Sequence, residues 1–363
     1  MSLVAQFDIH YSHFVDENGN ALTPLPAFAQ DAAALIPLYR WMTLIRAFDA
    51  KAIALQRTGQ LGTFASMLGQ EAIQAGIASA MAPDDVLLTT YREQGALMMR
   101  GVTMKELFLY WSGDERGSRF SGARGDFPIC VTIAAHATHA VGVAYAFKLK
   151  RDPRVAVCAL GDGATSKGDF YEGLNAAGAW KLPLVFFVSN NQYAISVPRA
   201  TQTAAQTLAQ KAIAGGIEGL QVDGNDLIAV RHAMDAALAK ARSGDGPTLI
   251  EALTYRLSDH TTADDASRYR SADEVATAWK REPIARLRAY LVNSGAWDKA
   301  REDALLRECN EQVQAAVQEY QNEPPPPLDQ MFDHLYAKLP AALEKQRAEV
   351  LEEKSAAVTA QGQ

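Results

Sequence analysis

Short apolar runs alternate along the chain with longer stretches in which apolar residues return every three or four positions. The segments at 86–89, 155–160, 184–188, 219–222 and 248–254 read as strands bounded by turn-forming residues. Helical spacing predicts helices over 31–57, 70–81, 104–111, 134–150, 170–180, 203–214 and 226–242. In the first helix Leu35, Leu38, Met42, Ile45, Phe48 and Ala52 share one face, and Gly59 stops it. Pro83 ends the second, and Asp169 is placed to cap the helix at 170–180. Strands separated by helices of this length run parallel, and unbroken apolar strands need cover on both faces. The pattern predicts an α/β fold: a parallel sheet covered by helices on both faces. No period of roughly 20–50 residues repeats, which excludes a solenoid.

The flanks are less regular. Residues 1–30, with turn signals at Asn18-Gly19-Asn20 and at Pro24 and Pro26, read as an extended arm packed on something else. Residues 112–127 are polar and glycine-rich, too long and hydrophilic for a core element, and suit a flexible wall of an active site. Residues 272–320 read as helical, with Trp279 and the face 284–291 as packing residues. Pro324 to Pro327 form a stiff linker, 331–343 a short helix, and the last 20 residues a polar, frayed tail. The organisation expected is an arm (1–30), an α/β domain (31–270), a helical extension (271–343) and a tail (344–363).

The chemistry gathers where strands end. The strand at 155–160 runs into Gly161-Asp162-Gly163, and that at 184–188 into Asn190-Asn191. With one helix between them, both polar turns fall at the C-terminal edge of neighbouring parallel strands, where open α/β sheets bind ligands. Asp162 offers a carboxylate and Asn191, 29 residues later, an amide oxygen. Both suit a hard cation such as Mg²⁺, which keeps waters and phosphate oxygens in its remaining positions. Gly161 and Gly163 let the backbone approach a phosphate, and amides ahead of a helix favour the anion. The stretch reads as a Mg²⁺–diphosphate cradle. A second copy, Gly244-Asp245-Gly246, follows a helix, runs into Pro247 and has Glu274 at the matching position. It reads as a plain helix-to-strand turn.

Tyr91-Arg92 also follows a strand end. Arg92 suits a bidentate grip on diphosphate oxygens, or is a surface arginine beside a core tyrosine. His136 and His139 stand at i, i+3 on one helix with no third metal ligand evident, which favours packing or substrate-site hydrogen bonding. The segment 256–270, rich in both charge signs, lies just beyond the last strand, and such loops order when a charged ligand neutralises part of them. Within it His260 is the best acid–base candidate, because an ordinary histidine titrates near neutrality.

Composition narrows the classes. Apolar content of 48% and charged content of 21% describe a globular chain with ample core. A formal net charge of −7 argues against a nucleic-acid or anionic-membrane binder. No basic start with a long apolar run marks a signal peptide, and no apolar segment approaches the roughly 20 residues that span a bilayer. Cys130, Cys158 and Cys309 are scattered, without metal spacing, which fits a reducing cytoplasm.

The GDG turn followed by NN resembles the thiamine diphosphate motif. DFYEGLNAAGAWKLPLVFFVSNNQYAIS, GIEGLQVDGNDLIAV and GPTLIEALTYR resemble the alpha subunit of the decarboxylating first component of 2-oxo acid dehydrogenase complexes, in its bacterial pyruvate and branched-chain members. The resemblance runs from about residue 35 to 343. It implies a thiamine diphosphate-binding fold and cofactor contacts from Tyr91, Arg92, Gly161, Asp162, Gly163, Ala164, Asn191, Tyr193 and His260. Mg²⁺ would be held by Asp162, Asn191 and Tyr193. Val131 and Ile133 stand where relatives hold the aminopyrimidine and bend the cofactor. Some relatives bind K⁺ near Cys130 and Thr132, several with serine in place of Cys130. His260 stands where relatives contact the diphosphate and help pass the acyl group to a lipoyl arm. Thr261 replaces the serine that regulated animal members phosphorylate, so that control is not supported.

The activity implied is thiamine diphosphate-dependent oxidative decarboxylation of a 2-oxo acid, with acyl transfer to the lipoyl domain of a partner acyltransferase. Such enzymes also need a glutamate beside the aminopyrimidine, carried on a second α/β domain for which no segment here is large enough. The resemblance therefore implies a site split with a beta subunit in an α₂β₂ tetramer. The ending EPPPPLDQMFDHLYAKLP resembles the pyruvate enzymes and the loop HTTADDASRYR the branched-chain ones, and pyruvate is favoured. The alternatives are a branched-chain alpha subunit acting on 3-methyl-2-oxobutanoate, an acetoin dehydrogenase alpha subunit, and a non-catalytic scaffold.

Overall fold

The computed structural model describes residues 1–333 and 335–361. The chain divides into two compact units, Met1–Gln318 and Glu319–Gln363, so the boundaries expected at 30/31 and 270/271 fall inside the first. The first unit opens with β1 (His10–Ser12), α1 (Ile36–Arg57), α2 (Glu71–Ala80), β2 (Val86–Leu88), α3 (Gln94–Met99) and α4 (Met104–Ser112). There follow α5 (Ala135–Lys150), β3 (Ala156–Gly161), α6 (Gly168–Ala179) and β4 (Leu184–Asn190). A small hairpin of β5 (Tyr193–Ala194) and β6 (Val197–Pro198) leads through the single turn α7 (Arg199–Gln202) to β7 (Glu218–Asp223). Then come α8 (Leu227–Ser243), β8 (Thr248–Leu253), α9 (Ala272–Trp279), α10 (Pro283–Asn293) and α11 (Lys299–Gln321).

Six strands form one sheet in the order β1-β7-β8-β4-β3-β2, with every pair parallel. Their alternation sorts the apolar runs into two faces. Ala156, Cys158 and Leu160 with Leu184, Phe186 and Val188 join Ala137, Phe170 and Leu174 in one core beneath α5 and α6. The intervening Val157, Ala159, Val185 and Phe187 are fully buried as well. Here α8 packs against β4, β7 and β8, and α2 against α8. A Cβ at Gly76 would stand 2.4 Å from Val230 Cγ1, so glycine is what lets α2 and α8 approach this closely. The predicted α/β fold, covered on both faces, is the fold observed.

Several expectations are corrected. His10–Ser12, within the arm expected to be extended and packed on something else, is the edge strand of the sheet, paired with Leu220–Val222 of β7. Asp226 holds it in place: Oδ2 accepts from the backbone N–H groups of Phe14 (2.6 Å) and Val15 (2.9 Å), and Oδ1 caps α8. Asp169 does not cap α6. It lies inside the helix's first turn, and Lys167, whose side chain makes no cap, holds that position. Residues 203–208 are not helical, and only a 3₁₀ turn spans Ala209–Gly215. Thr203 and Thr207 side chains accept from Ala205 and Gln210 N–H groups, a local alternative to helical bonding.

The stretch 272–320 is three helices. Glu282 is extended because Pro283 follows it, and its carboxylate caps α10. Gly295, in the left-handed region, follows the end of α10. Trp279 is 43% exposed rather than packed, since α9 buries none of its residues, whereas Ile284, Leu287 and Leu291 are buried as expected. In the second unit the helix expected at 331–343 is the single turn α12 (Gln330–Asp333), and α13 (Ala341–Gln361) begins after Pro340. Most of the tail expected to fray is helical, and residues 334, 362 and 363 lie outside those described.

Candidate functional site

The C-terminal ends of β2, β3, β4 and β8 open into a cleft of about 380 Å³. Tyr91, Arg92, Ile133, Gly161, Asp162, Gly163, Ala164, Asn191, Tyr193 and His260 all line it. Of the residues expected to touch the cofactor, Val131 alone stands outside, at 60% exposure, two residues from Ile133. None of residues 112–127 lines the cleft. That loop is pinned elsewhere by buried Phe120 and Ala123 and by Asp126, which pairs with Arg100 at 2.5 Å. A larger, more open cavity of about 810 Å³ contains none of the candidates, and Arg286 and Arg281 there are already paired with Asp223 (2.6 Å) and Glu17 (3.3 Å). The chemistry belongs to the smaller cleft.

The two turns are built differently from one another. After β3 the chain makes a 3₁₀ turn at Asp162–Ser166, with buried Lys211 donating to Thr165 O at its end (2.7 Å). A Cβ at Gly163 would lie 2.7 Å from that of Ala194, so only glycine fits beneath the hairpin. Asp162 is buried, and burial pushes its carboxyl above the ordinary value against the opposing pull of Gln202, Arg256 and Arg92. After β4 the asparagine pair divides its labour. Asn190 belongs to the strand and donates to Glu251 (2.7 Å), while Asn191 turns into the cleft and its Oδ1 accepts from Tyr193 N–H (3.3 Å). The Tyr193 hydroxyl donates to Glu274 (2.9 Å), and its backbone carbonyl accepts from Arg256 (3.1 Å).

Strands β4 and β8 stay joined past their ends. Thr254 N–H donates to Asn190 O (2.9 Å) and Arg256 N–H to Asn191 O (3.3 Å), which sets Arg256 beside the asparagine turn. Arg256 is fully buried. Its guanidinium donates to Tyr193 O (3.1 Å), Ile195 O (2.7 Å) and the Tyr269 hydroxyl (2.9 Å), and Nε has no partner. Arg92 is held by the Ser66 and His260 carbonyls, and among the described residues neither arginine meets a carboxylate. Burial first, then the neighbouring Arg92, lowers the Arg256 pKa. Two buried guanidiniums without counter-ions suit an anion. Ser189 Oγ and the Gln70 amide, also on the cleft lining, are buried without partners.

His260 sits between the two arginines, its Nδ1 3.3 Å from Arg92 and 3.4 Å from Arg256. Burial and then both cations push its pKa down to about 3, with Asp264 opposing them, so the near-neutral titration expected from sequence does not hold in the free chain. Facing donors on Nδ1, the neutral ring carries its proton on Nε2. His136 Nε2 donates to Ala159 O (2.7 Å) within the core, and His139 lies at the surface beside Phe127. The two do not converge on a common point of the cleft. Gly244-Asp245-Gly246 is the α8–β8 turn, as read. Sequence reasoning missed Arg256 and Gln202. The signal for Arg256 was available, since it follows β8 much as Arg92 follows β2.

The donor set fits a cation-bound diphosphate: a buried carboxylate and an amide oxygen facing two unpaired guanidiniums across a turn that only glycine can form. The sequence profile of the family described as "Dehydrogenase E1 component" matches residues 39–329. The chain is 39% identical over 335 residues to the pyruvate dehydrogenase E1 component subunit alpha of Staphylococcus aureus, covering 92% of this chain and 90% of that one. It is 39% identical to the same subunit of Mycoplasma pneumoniae, covering 92% and 93%. To that of Acholeplasma laidlawii it is 40% identical, covering 92% and 97%.

Proposed function

The chain belongs to the dehydrogenase E1 component family, whose members depend on thiamine diphosphate, and from that premise we propose that it is the alpha subunit of a pyruvate dehydrogenase first component. The observation that carries this reading is the convergence of Asp162, Asn191, Arg92, Arg256 and His260 on one cleft. Pyruvate is the substrate in the names of the relatives just described. In this reading Asp162, Asn191 and the Tyr193 carbonyl hold Mg²⁺. Arg92 and Arg256 hold the diphosphate with Tyr91, Gly161, Gly163 and Ala164 around it, and His260 donates from Nε2. Bound thiamine diphosphate supplies the electron sink that lets CO₂ leave. The chain anchors it, keeps water from the diphosphate and offers Ile133 and Val131 to its ring system.

A beta subunit completes the site, in an α₂β₂ assembly, and a lipoyl-bearing acyltransferase takes the acyl group. A Mg²⁺ and diphosphate site of this kind needs no membrane, and no helix among the described residues is long and apolar enough to cross one. The loop HTTADDASRYR supports a second reading, a branched-chain substrate.

Co-expression with the beta partner tests both. With an artificial electron acceptor, kcat/KM for pyruvate is expected to exceed that for 3-methyl-2-oxobutanoate at least about tenfold, a difference of about 1.4 kcal/mol in transition-state binding. The reverse preference makes it a branched-chain enzyme. Activity with neither returns the acetoin and scaffold readings.

A further inference from the structure

Asp162 is 2% exposed, and its two carboxylate oxygens are not equivalent. Oδ2 accepts a hydrogen bond from the Gln202 side-chain amide at 2.9 Å. Among the described residues Gln202 supplies the side-chain hydrogen bond to this carboxylate, and the backbone N–H of Asp162 itself also acts on it. Gln202 ends α7, the single turn that follows the β5–β6 hairpin, and the same amide nitrogen donates to Val197 O at 3.3 Å. The hairpin lies on the glycine turn itself. A Cβ at Gly163 would stand 2.7 Å from Ala194 Cβ and 3.6 Å from Gln202 Oε1. The side-chain donor on this buried carboxylate is therefore a neutral amide carried by a segment folded over the turn. A lysine or arginine at the same place would compete with a bound cation for Asp162. An amide orients the carboxylate without neutralising it.

We propose that Gln202 is the positioning residue that turns Asp162 toward the cation, holding Oδ2 so that Oδ1 is the ligand, and that it ties the 193–202 hairpin to cation binding. This rests on the reading of Asp162 as a Mg²⁺ ligand given above. Partners that orient a ligating side chain typically contribute about 10–100-fold in metal affinity.

The test uses the full chain co-expressed with its beta subunit, with Mn²⁺ titrated by electron paramagnetic resonance in the presence of thiamine diphosphate. Gln202→Met keeps the length and removes the donor, and Gln202→Ala removes both. Each is expected to weaken Mn²⁺ binding about 10–100-fold while kcat at saturating cation stays within about twofold of wild type. Thermal melting without cation is expected to be unchanged, which separates loss of positioning from loss of fold. Wild-type Mn²⁺ affinity in either folded variant overturns the proposal alone. A wild-type enzyme that binds no Mn²⁺ with thiamine diphosphate overturns this proposal together with the function it rests on.

Discussion

At the scale of single residues, His260 shows how surroundings reverse an expectation drawn from residue type. Histidine is chosen for acid–base work because its ordinary pKa lies near neutrality. Here burial and two guanidiniums hold it at about 3, so the free chain carries it neutral. The folded pKa lies below the unfolded one, so the unfolded chain binds more protons between them. The stability this group contributes is complete above about pH 6.5 and is lost as pH falls toward the folded value. An anion between Arg92 and Arg256 would cancel the charges that depress it. Histidine-selective ¹⁵N NMR of the cofactor-free chain should therefore show no His260 titration between about pH 5 and 8. Adding inorganic pyrophosphate, or substituting Arg92→Met, should raise the pKa. An ordinary midpoint in the free chain would mean that the arginines do not act on the ring. Arg256 teaches the complementary lesson. Its position just past a strand was legible, but that it is buried without a counter-ion depends on β4 and β8 staying paired beyond their ends, which no local pattern encodes.

At the scale of elements, the sequence was most readable where burial imposes a period. β3, β4 and β8 are largely apolar on both faces and α8 shows one apolar stripe, so their bounds match the expected ones within two residues, whereas α1 ends as expected at Arg57 but begins at Ile36, after a 3₁₀ turn. The failures share a cause. β1 is three residues, His-Tyr-Ser, held by backbone pairing with β7 and not by apolar side chains. The residues just after it, Phe14 and Val15, are fixed by Asp226, 214 residues after Ser12. Likewise Asp169 looked like a cap because caps are short polar residues before a helix, yet the 3₁₀ turn after Asp162 shifts the helix start to Gly168. Asp226 gives a direct test. Asp226→Ala removes the α8 cap and the acceptor for Phe14 and Val15 together, for an expected loss of about 2–4 kcal/mol. Asp226→Asn keeps an oxygen for one of the two tasks and should lose less. Denaturant unfolding measures both, and hydrogen exchange should rise at residues 10–15. Unchanged exchange there would show that β1 is anchored by β7 alone.

At the scale of the whole molecule, the cleft is finished on one side only. Its floor is sealed: Asp162, Asn191, Arg92 and Arg256 are all buried. Its rim carries Ile133 at 39% exposure, with Val131 just outside it at 60%, both ahead of Ala134 in the left-handed region. A non-glycine residue there costs on the order of 1 kcal/mol, and such strain collects where a segment must be presented in one conformation. An apolar rim beside a polar floor supports the proposal that the site is shared with a beta subunit. The diphosphate should therefore be the business of this chain, and turnover the business of the assembly. Purified alone, the chain should bind thiamine diphosphate in a Mg²⁺-dependent manner by calorimetry yet decarboxylate no 2-oxo acid. Adding the beta subunit should restore turnover. Val131→Asp places a charge beside the rim and should lower that restored turnover at least about tenfold with the melting temperature of the isolated chain unchanged. Full-rate decarboxylation by the chain alone would mean that the cleft needs no second subunit and that the exposed rim serves another purpose.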